Sequence, residues 1–319
     1  MGNDVGTSNR LLQDAYVHVH DYVPHHDFKL GQFRRQMGEE GSRDDGKLDF
    51  AERAMITQVA SFRDAGLQAH GSWCDQRLEY WAGVFNGAGT AFQQHGNRSD
   101  DNDQKDLAFT VRGVPICQPE DLGTLEFGYS LLNGVGGEGH TGDSDAPVPS
   151  LNRARTIHGM QYAWGAYQPG GPLRGFWLRG EWGQIRDRFA PAQAASGFDV
   201  TSTNPAPFKT DGWYVSAGYR LDKSIWCDGL TPWVRPLEFA IRYETMRNIF
   251  YHDLVQIERR FDLFHTQVYT AGINYRVSSG VKLQFNYNWV LEQHDQNRED
   301  RQLREVRNNA AVINFQVEF

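Results

Sequence analysis

Six basic residues, Arg112, Arg179, Arg220, Arg242, Arg276 and Lys282, share one property: each sits out of phase with the apolar residues around it. Near Arg242, for instance, Leu237, Phe239, Ile241 and Tyr243 alternate with Glu238, Ala240, Arg242 and Glu244. Side chains alternate faces along a strand, so the basic residues belong to the face opposite the apolar one. On the wall of a water-filled channel, such residues lower the barrier for anions. Guanidinium also pairs bidentately with phosphate oxygens and keeps its charge. Carboxylates share the face, at Glu79, Glu126, Glu181, Glu238, Glu244 and Glu318. Two readings stand side by side: a track of arginines, or a wall of neutralising Arg–Glu pairs.

Other reactive types give less. His18 and His20 lie two apart on one strand face, so both imidazoles could meet one metal ion. The plainer reading is two polar residues facing water, and no metal site and no cofactor are expected. His25 and His26 fall in a turn. Gly134 to Asp145 is rich in glycine but lacks the phosphate-loop spacing and a following helix. There is no GxSxG, no HExxH and no paired CxxC, so an enzyme is not expected. Cys74, Cys117 and Cys227 are an odd set, all in short turns, and give no disulfide framework. A Cys74–Cys117 bridge would need neighbouring turns, about 10 Å apart, to lean together.

The elements that must position these residues are strands. The last stretch, Asn308 to Phe319, puts Ala311, Ile313, Phe315, Val317 and Phe319 on one face and Val312, Asn314, Gln316 and Glu318 on the other. Val281 to Leu291 and Gly212 to Leu221 alternate in the same way. About thirteen such runs follow one another, joined by connections that alternate short and long. Trp and Tyr cluster near strand ends, as at Trp213, Tyr219, Tyr269, Tyr275, Tyr287 and Trp289. These features predict an all-β, antiparallel transmembrane β-barrel with aromatic girdles, residues 1–319 forming a single domain. The long connection Arg35 to Ala65 contains LDFAERAMITQ, which reads as one or two helical turns.

The totals agree. The chain has 319 residues, a net charge of −8, 13% aromatics and 33 glycines. Mean hydropathy is −0.61, as a strand needs only every second residue apolar to sit in lipid. The acidic balance argues against nucleic acid as a partner. Met1-Gly2-Asn3-Asp4 leads into polar residues with no signal peptide. Both end strands run inward on this count, so an odd number of N-terminal strands is expected to be missing from an even-numbered barrel.

Gln13-Asp14-Ala15-Tyr16-Val17, Phe28-Lys29-Leu30-Gly31-Gln32-Phe33, Gly38-Glu39-Glu40, Phe50-Ala51-Glu52-Arg53 and Tyr80 to Gly89 together resemble the phosphate-selective porin O and P family. The likeness is specific over Leu11 to Gly89 and architectural beyond. It implies a homotrimer in the outer membrane of a Gram-negative-type bacterium, with lipid and small anions as partners. It implies about sixteen strands in full, of which about thirteen are present. It also implies that residues 35–65 fold into the lumen as a constriction, with Lys47, Arg53 and Arg63 at the narrow point. The expected function is passive diffusion of small anions, including phosphate. The alternatives are a general, weakly selective porin, a plugged structural or adhesive barrel, and an outer-membrane hydrolase, which would need a Ser–His pair at the lipid-facing rim.

Overall fold

A computed structural model describes residues 14–61, 63–87, 105–118, 122–136, 153–165, 173–189, 208–252, 260–278, 280–295 and 308–317. It is one antiparallel sheet of 13 strands in sequential order. The strands are β1 (Ala15–Val23), β2 (His26–Arg34), β3 (Arg63–Trp73), β4 (Leu78–Phe85), β5 (Asp106–Gln118), β6 (Gly123–Gly136) and β7 (Arg153–Gly165). They continue as β8 (Phe176–Phe189), β9 (Phe208–Arg220), β10 (Leu237–His252), β11 (Arg260–Ser278), β12 (Val281–Asp295) and β13 (Ala310–Val317). One short helix, α1 (Met55–Ala60), lies in the β2–β3 connection. Each strand pairs with its chain neighbour, so every registered contact is that of a meander.

The two faces invert the usual order of a water-soluble protein. Apolar residues at one parity are exposed: Leu30, Leu107, Phe127, Met160, Ile241 and Ile313 among them, with Ile313 at 73%. The opposite parity is polar and buried, as at Thr110, Ser130, Glu181, Ser216, Asn274 and Gln284. Leaving apolar area in water costs about 25 cal/mol per Å². The outer face therefore requires apolar surroundings, and the strands' own ladders satisfy the backbone there. Aromatics mark a level on this face. Trp182 stands directly across from Trp213, Tyr243 from Tyr269 and Tyr269 from Trp289, a row that crosses β8 to β12.

Strand boundaries differ from the sequence reading at informative places. The clean alternation from Leu237 stops at Glu244 and resumes only at Tyr269, yet β10 runs to His252 and β11 begins at Arg260. Pro115 reads as part of a turn, but it lies inside β5, where the ladder shifts register between Gly113 and Ile116. The β3–β4 turn is tight, with Cys74, Asp75 and Gln76 all at left-handed φ between 54° and 66°.

Candidate functional site

The β2–β3 connection departs from the sheet and folds over its inner face. Two kinds of contact hold it. The first is apolar: Met37 and Ala60 of the connection join Phe33, Phe85, Ala108, Leu132, Ile157 and Ile185 in one buried cluster. Those strand residues sit at inner parity, where the alternation alone would expect polar groups. Ile56 of α1 seats against Gly183 and Gly212, where a side chain would crowd it. Gly38 has φ +76° and packs so close to the Glu181 carboxylate that a Cβ would collide with it.

The second kind is polar, and it spans the lumen. Beside β5, the buried Arg35 donates to Asp106 Oδ2 at 2.7 Å. The Gly38 and Glu39 amides donate to Ser130 Oγ (3.3 Å) and Glu181 Oε2 (3.1 Å), on β6 and β8. Tyr214 on β9 donates its hydroxyl to Glu39 Oε2 at 3.0 Å. Arg242 on β10 reaches Glu40 Oε1 (3.2 Å), the Glu52 carbonyl (3.0 Å) and Glu244 Oε1 (3.1 Å). Asn274 on β11 donates to the Asp49 carbonyl at 2.8 Å. On β12, Lys282 Nζ donates to the carbonyls of Leu48 (2.6 Å) and Gly46 (3.1 Å). The N-terminal amides of α1 have no intrahelical partners. Glutamates take them: Ala54 donates to Glu40 Oε2 at 2.6 Å and Met55 to Glu244 Oε2 at 2.7 Å.

Asp45 completes the span. Arg34 of β2 and Arg63 of β3 approach it to 3.7 and 3.6 Å. The next residue, Gly46, is already bonded to β12. The connection thus bridges the first and last parts of the sheet, which curls around it.

Charge is concentrated where the connection meets β8. Arg43 donates to Asp49 Oδ2 at 2.7 Å and to Glu39 Oε1 at 3.3 Å. Arg179 pairs with the same Asp49 and lies 3.4 Å from Glu39. Burial alone would push the Asp49 carboxyl up, but the two guanidiniums outweigh it and hold it below the usual carboxylate range. Glu39 goes the other way: burial raises it, and Arg43 and Arg179 offset only part of that. A cavity of about 210 Å³ opens beside this cluster, walled by Arg43, Arg112 and Arg179 against Glu39 and Glu126.

The nine residues singled out from the sequence do not act alike. Arg179, Arg242 and Lys282 converge on the connection. Arg53 sits within it, bonded to the Glu40 and Arg43 carbonyls and to Asp45 at 2.5 Å. Arg112 pairs along the wall with Glu79 and with Glu126 at 3.4 Å. Arg276 does the same with Glu238 at 2.7 Å. Arg220 keeps the inner parity of its strand, and its guanidinium forks onto Asp222 just beyond β9, at 3.1 and 2.7 Å. Arg63 corrects the expected bounds of the connection, being the first residue of β3, where it also binds Asp14 at 3.0 Å. The connection accordingly ends before Arg63 rather than at Ala65. Lys47 is largely exposed and bonds Asp44 at 2.7 Å. Glu318 and residues 137–145 lie outside the described residues. The three cysteines are free thiols.

Sequence reasoning missed Arg35 and Arg43 among the cations. Both lie in the irregular part of the connection, where no periodicity marks a buried side. The cluster GEEGSRDDGK, dense in both signs, was the available signal.

No protein-family model and no curated protein matches the chain. Solved structures do. A loop L8 deletion mutant of OmpT, an outer membrane protein of Vibrio cholerae, aligns with TM-score 0.53 and 10% identity over 92% of this chain and 76% of that one. In-vitro folded OmpT of Vibrio cholerae aligns with TM-score 0.51 and 10% identity over 92% and 74%. At that identity the likeness shows the fold. The chain has the fold of an outer-membrane β-barrel. The resemblance to the phosphate-selective porin family gains no support from these comparisons. The expectation of a non-enzyme is corrected: the neighbours are OmpT proteins, and one barrel scaffold can host catalysis as well as transport. A missing sequence motif does not exclude catalysis on it.

Proposed function

We propose that the protein is a diffusion pore for small solutes, with the infolded connection as its constriction and weak charge selectivity. The observation that carries this reading is the pairing of inner-face charges. The described contacts of Arg112, Arg179, Arg242 and Arg276 each include a carboxylate. Paired charges largely cancel at a distance, so the wall repels neither sign strongly. The cavity beside the connection is lined by three guanidiniums and two carboxylates. That small excess supports a mild preference for anions. Phosphate specificity is not part of the proposal, because these guanidinium forks are already engaged by carboxylates. A homotrimer, the usual assembly of such pores, is proposed with it.

The test is single-channel recording of the refolded protein in a planar bilayer under a KCl gradient. The expected result is an open channel with a reversal potential slightly on the chloride side. A closed barrel would favour a second reading, a plugged structural barrel, which the contacts from β5 across to β12 also support.

A further inference from the structure

Away from the connection, four neighbouring strands bring imidazoles and carboxylates to one patch of the inner face. His18 and His20 of β1 lie with ring centroids 3.7 Å apart. Asp27 of β2 faces both: its two oxygens are 3.4 Å from His20 Nδ1 and 4.0 Å from His18 Nε2. His70 of β3, directly across the ladder from Asp27, places Nδ1 3.6 Å from the same carboxylate. Its other ring nitrogen, Nε2, is 3.1 Å from Glu79 Oε1 on β4.

The geometry points to a binding site for a divalent transition-metal ion, held by His18, His20 and Asp27 with His70 as a fourth ligand. One donor atom from each of His18, His20 and Asp27 falls within 4.8 Å of the others. Around zinc, ligand bonds of about 2.0–2.1 Å put neighbouring donors roughly 3.3 Å apart. Small side-chain rotations close that difference. Imidazole with carboxylate suits zinc, copper or nickel, whereas calcium and magnesium take oxygen donors.

Two further contacts fit the assignment. A ligating histidine commonly donates its second N–H to a carboxylate, which fixes the tautomer and turns the ring. Glu79 stands in that position to His70, and Arg112 holds Glu79 in turn. Lys29, across the ladder from His18, would repel a cation, but its ammonium lies over the Tyr16 ring at 4.8 Å. His20 is 61% exposed, so an ion can enter from water.

The test is calorimetric titration of the full chain, folded in detergent micelles, with ZnCl₂. The wild type is expected to bind one ion per chain. His20→Ala and Asp27→Asn should each weaken binding at least tenfold. Glu79→Gln should weaken it about tenfold, the usual effect of losing an outer partner. His26→Ala is the control, because His26 is committed to the Pro24 carbonyl at 2.8 Å and to the Trp73 ring; it should bind as the wild type does. Cobalt should give a visible absorption band that His20→Ala and Asp27→Asn diminish and His26→Ala leaves unchanged. The absence of a saturable site in the wild type would overturn the inference. So would His20→Ala and Asp27→Asn proteins that fold and bind zinc as tightly as the wild type.

Discussion

Two sets of arginines share the inner face and do different work. Arg242 and Arg179 are 3% and 15% exposed and reach inward to the connection. Arg112 and Arg276 are about twice as exposed as Arg179, and their partners are glutamates on neighbouring strands. All four have the same parity and the same chemistry. What separates them is whether the connection lies above them. The first set acts as a clasp; the second coats the wall. Parity assigns a face, and the partner assigns the job.

The strongest way to break this contrast is Arg242→Ala. It would leave Glu40 and Glu244 buried with one fewer counter-charge, a loss of about 3–5 kcal/mol. The expected outcome is a released connection, seen as rapid proteolysis at Arg43 and Lys47 and as higher single-channel conductance. An unchanged proteolysis rate would remove the clasp from the account.

Acid should act next in size and on the same clasp. Asp49 titrates lower in the folded chain than in the unfolded one, where a carboxyl lies near 3.9. Its contribution is therefore present above that value and is lost as pH falls below about 4, of order 2 kcal/mol. Glu39 is raised, so its sign is opposite: stability declines as pH rises from about 4.3 towards its folded value. Urea midpoints measured across pH should fall steeply on the acid side and gently on the neutral side. Glu39→Gln should flatten only the neutral side.

Arg112→Ala sharpens the other half of the contrast. Arg112 is partly exposed, whereas its partner Glu79 is buried but keeps His70, so the loss is about 1–2 kcal/mol and the barrel should remain folded. The reversal potential should move towards potassium, because one of the three cations beside the 210 Å³ cavity is gone. Arg220→Ala should do least, within about 0.5 kcal/mol and without change in selectivity, as its partner is two residues away in a turn. A selectivity shift from Arg220→Ala equal to that of Arg112→Ala would erase the distinction.

Much of the sheet was legible because lipid imposes a period of two. In β13, Ala311, Ile313, Phe315 and Val317 are exposed and the alternate residues less so, as their spacing predicts. The period fades where the lipid ends. Thr245 and Arg247 hold the outward parity of Ile241 and Tyr243 yet are polar, because no apolar solvent selects that face there, although their ladder continues unbroken. The clasp was illegible for another reason. Arg242 and Glu40 are 202 positions apart, and the connection that carries Glu40 has no regular period. Inner apolar residues such as Leu132 and Ile185 were equally hidden, since the docked Met37 and Ala60 explain them.

The unbroken ladder of β10 and β11 stiffens one end of the barrel. Beyond the aromatic pair Tyr243–Tyr269, the two strands stay in register as far as His252 and Arg260. Nine residues of strand at roughly 3.4 Å each, tilted by about 40°, rise some 20 Å above the aromatic row. Fully paired backbone makes this a stiff mast rather than a loose loop. Among the described residues, a large body nearing this end of the barrel would meet paired strand rather than irregular loop.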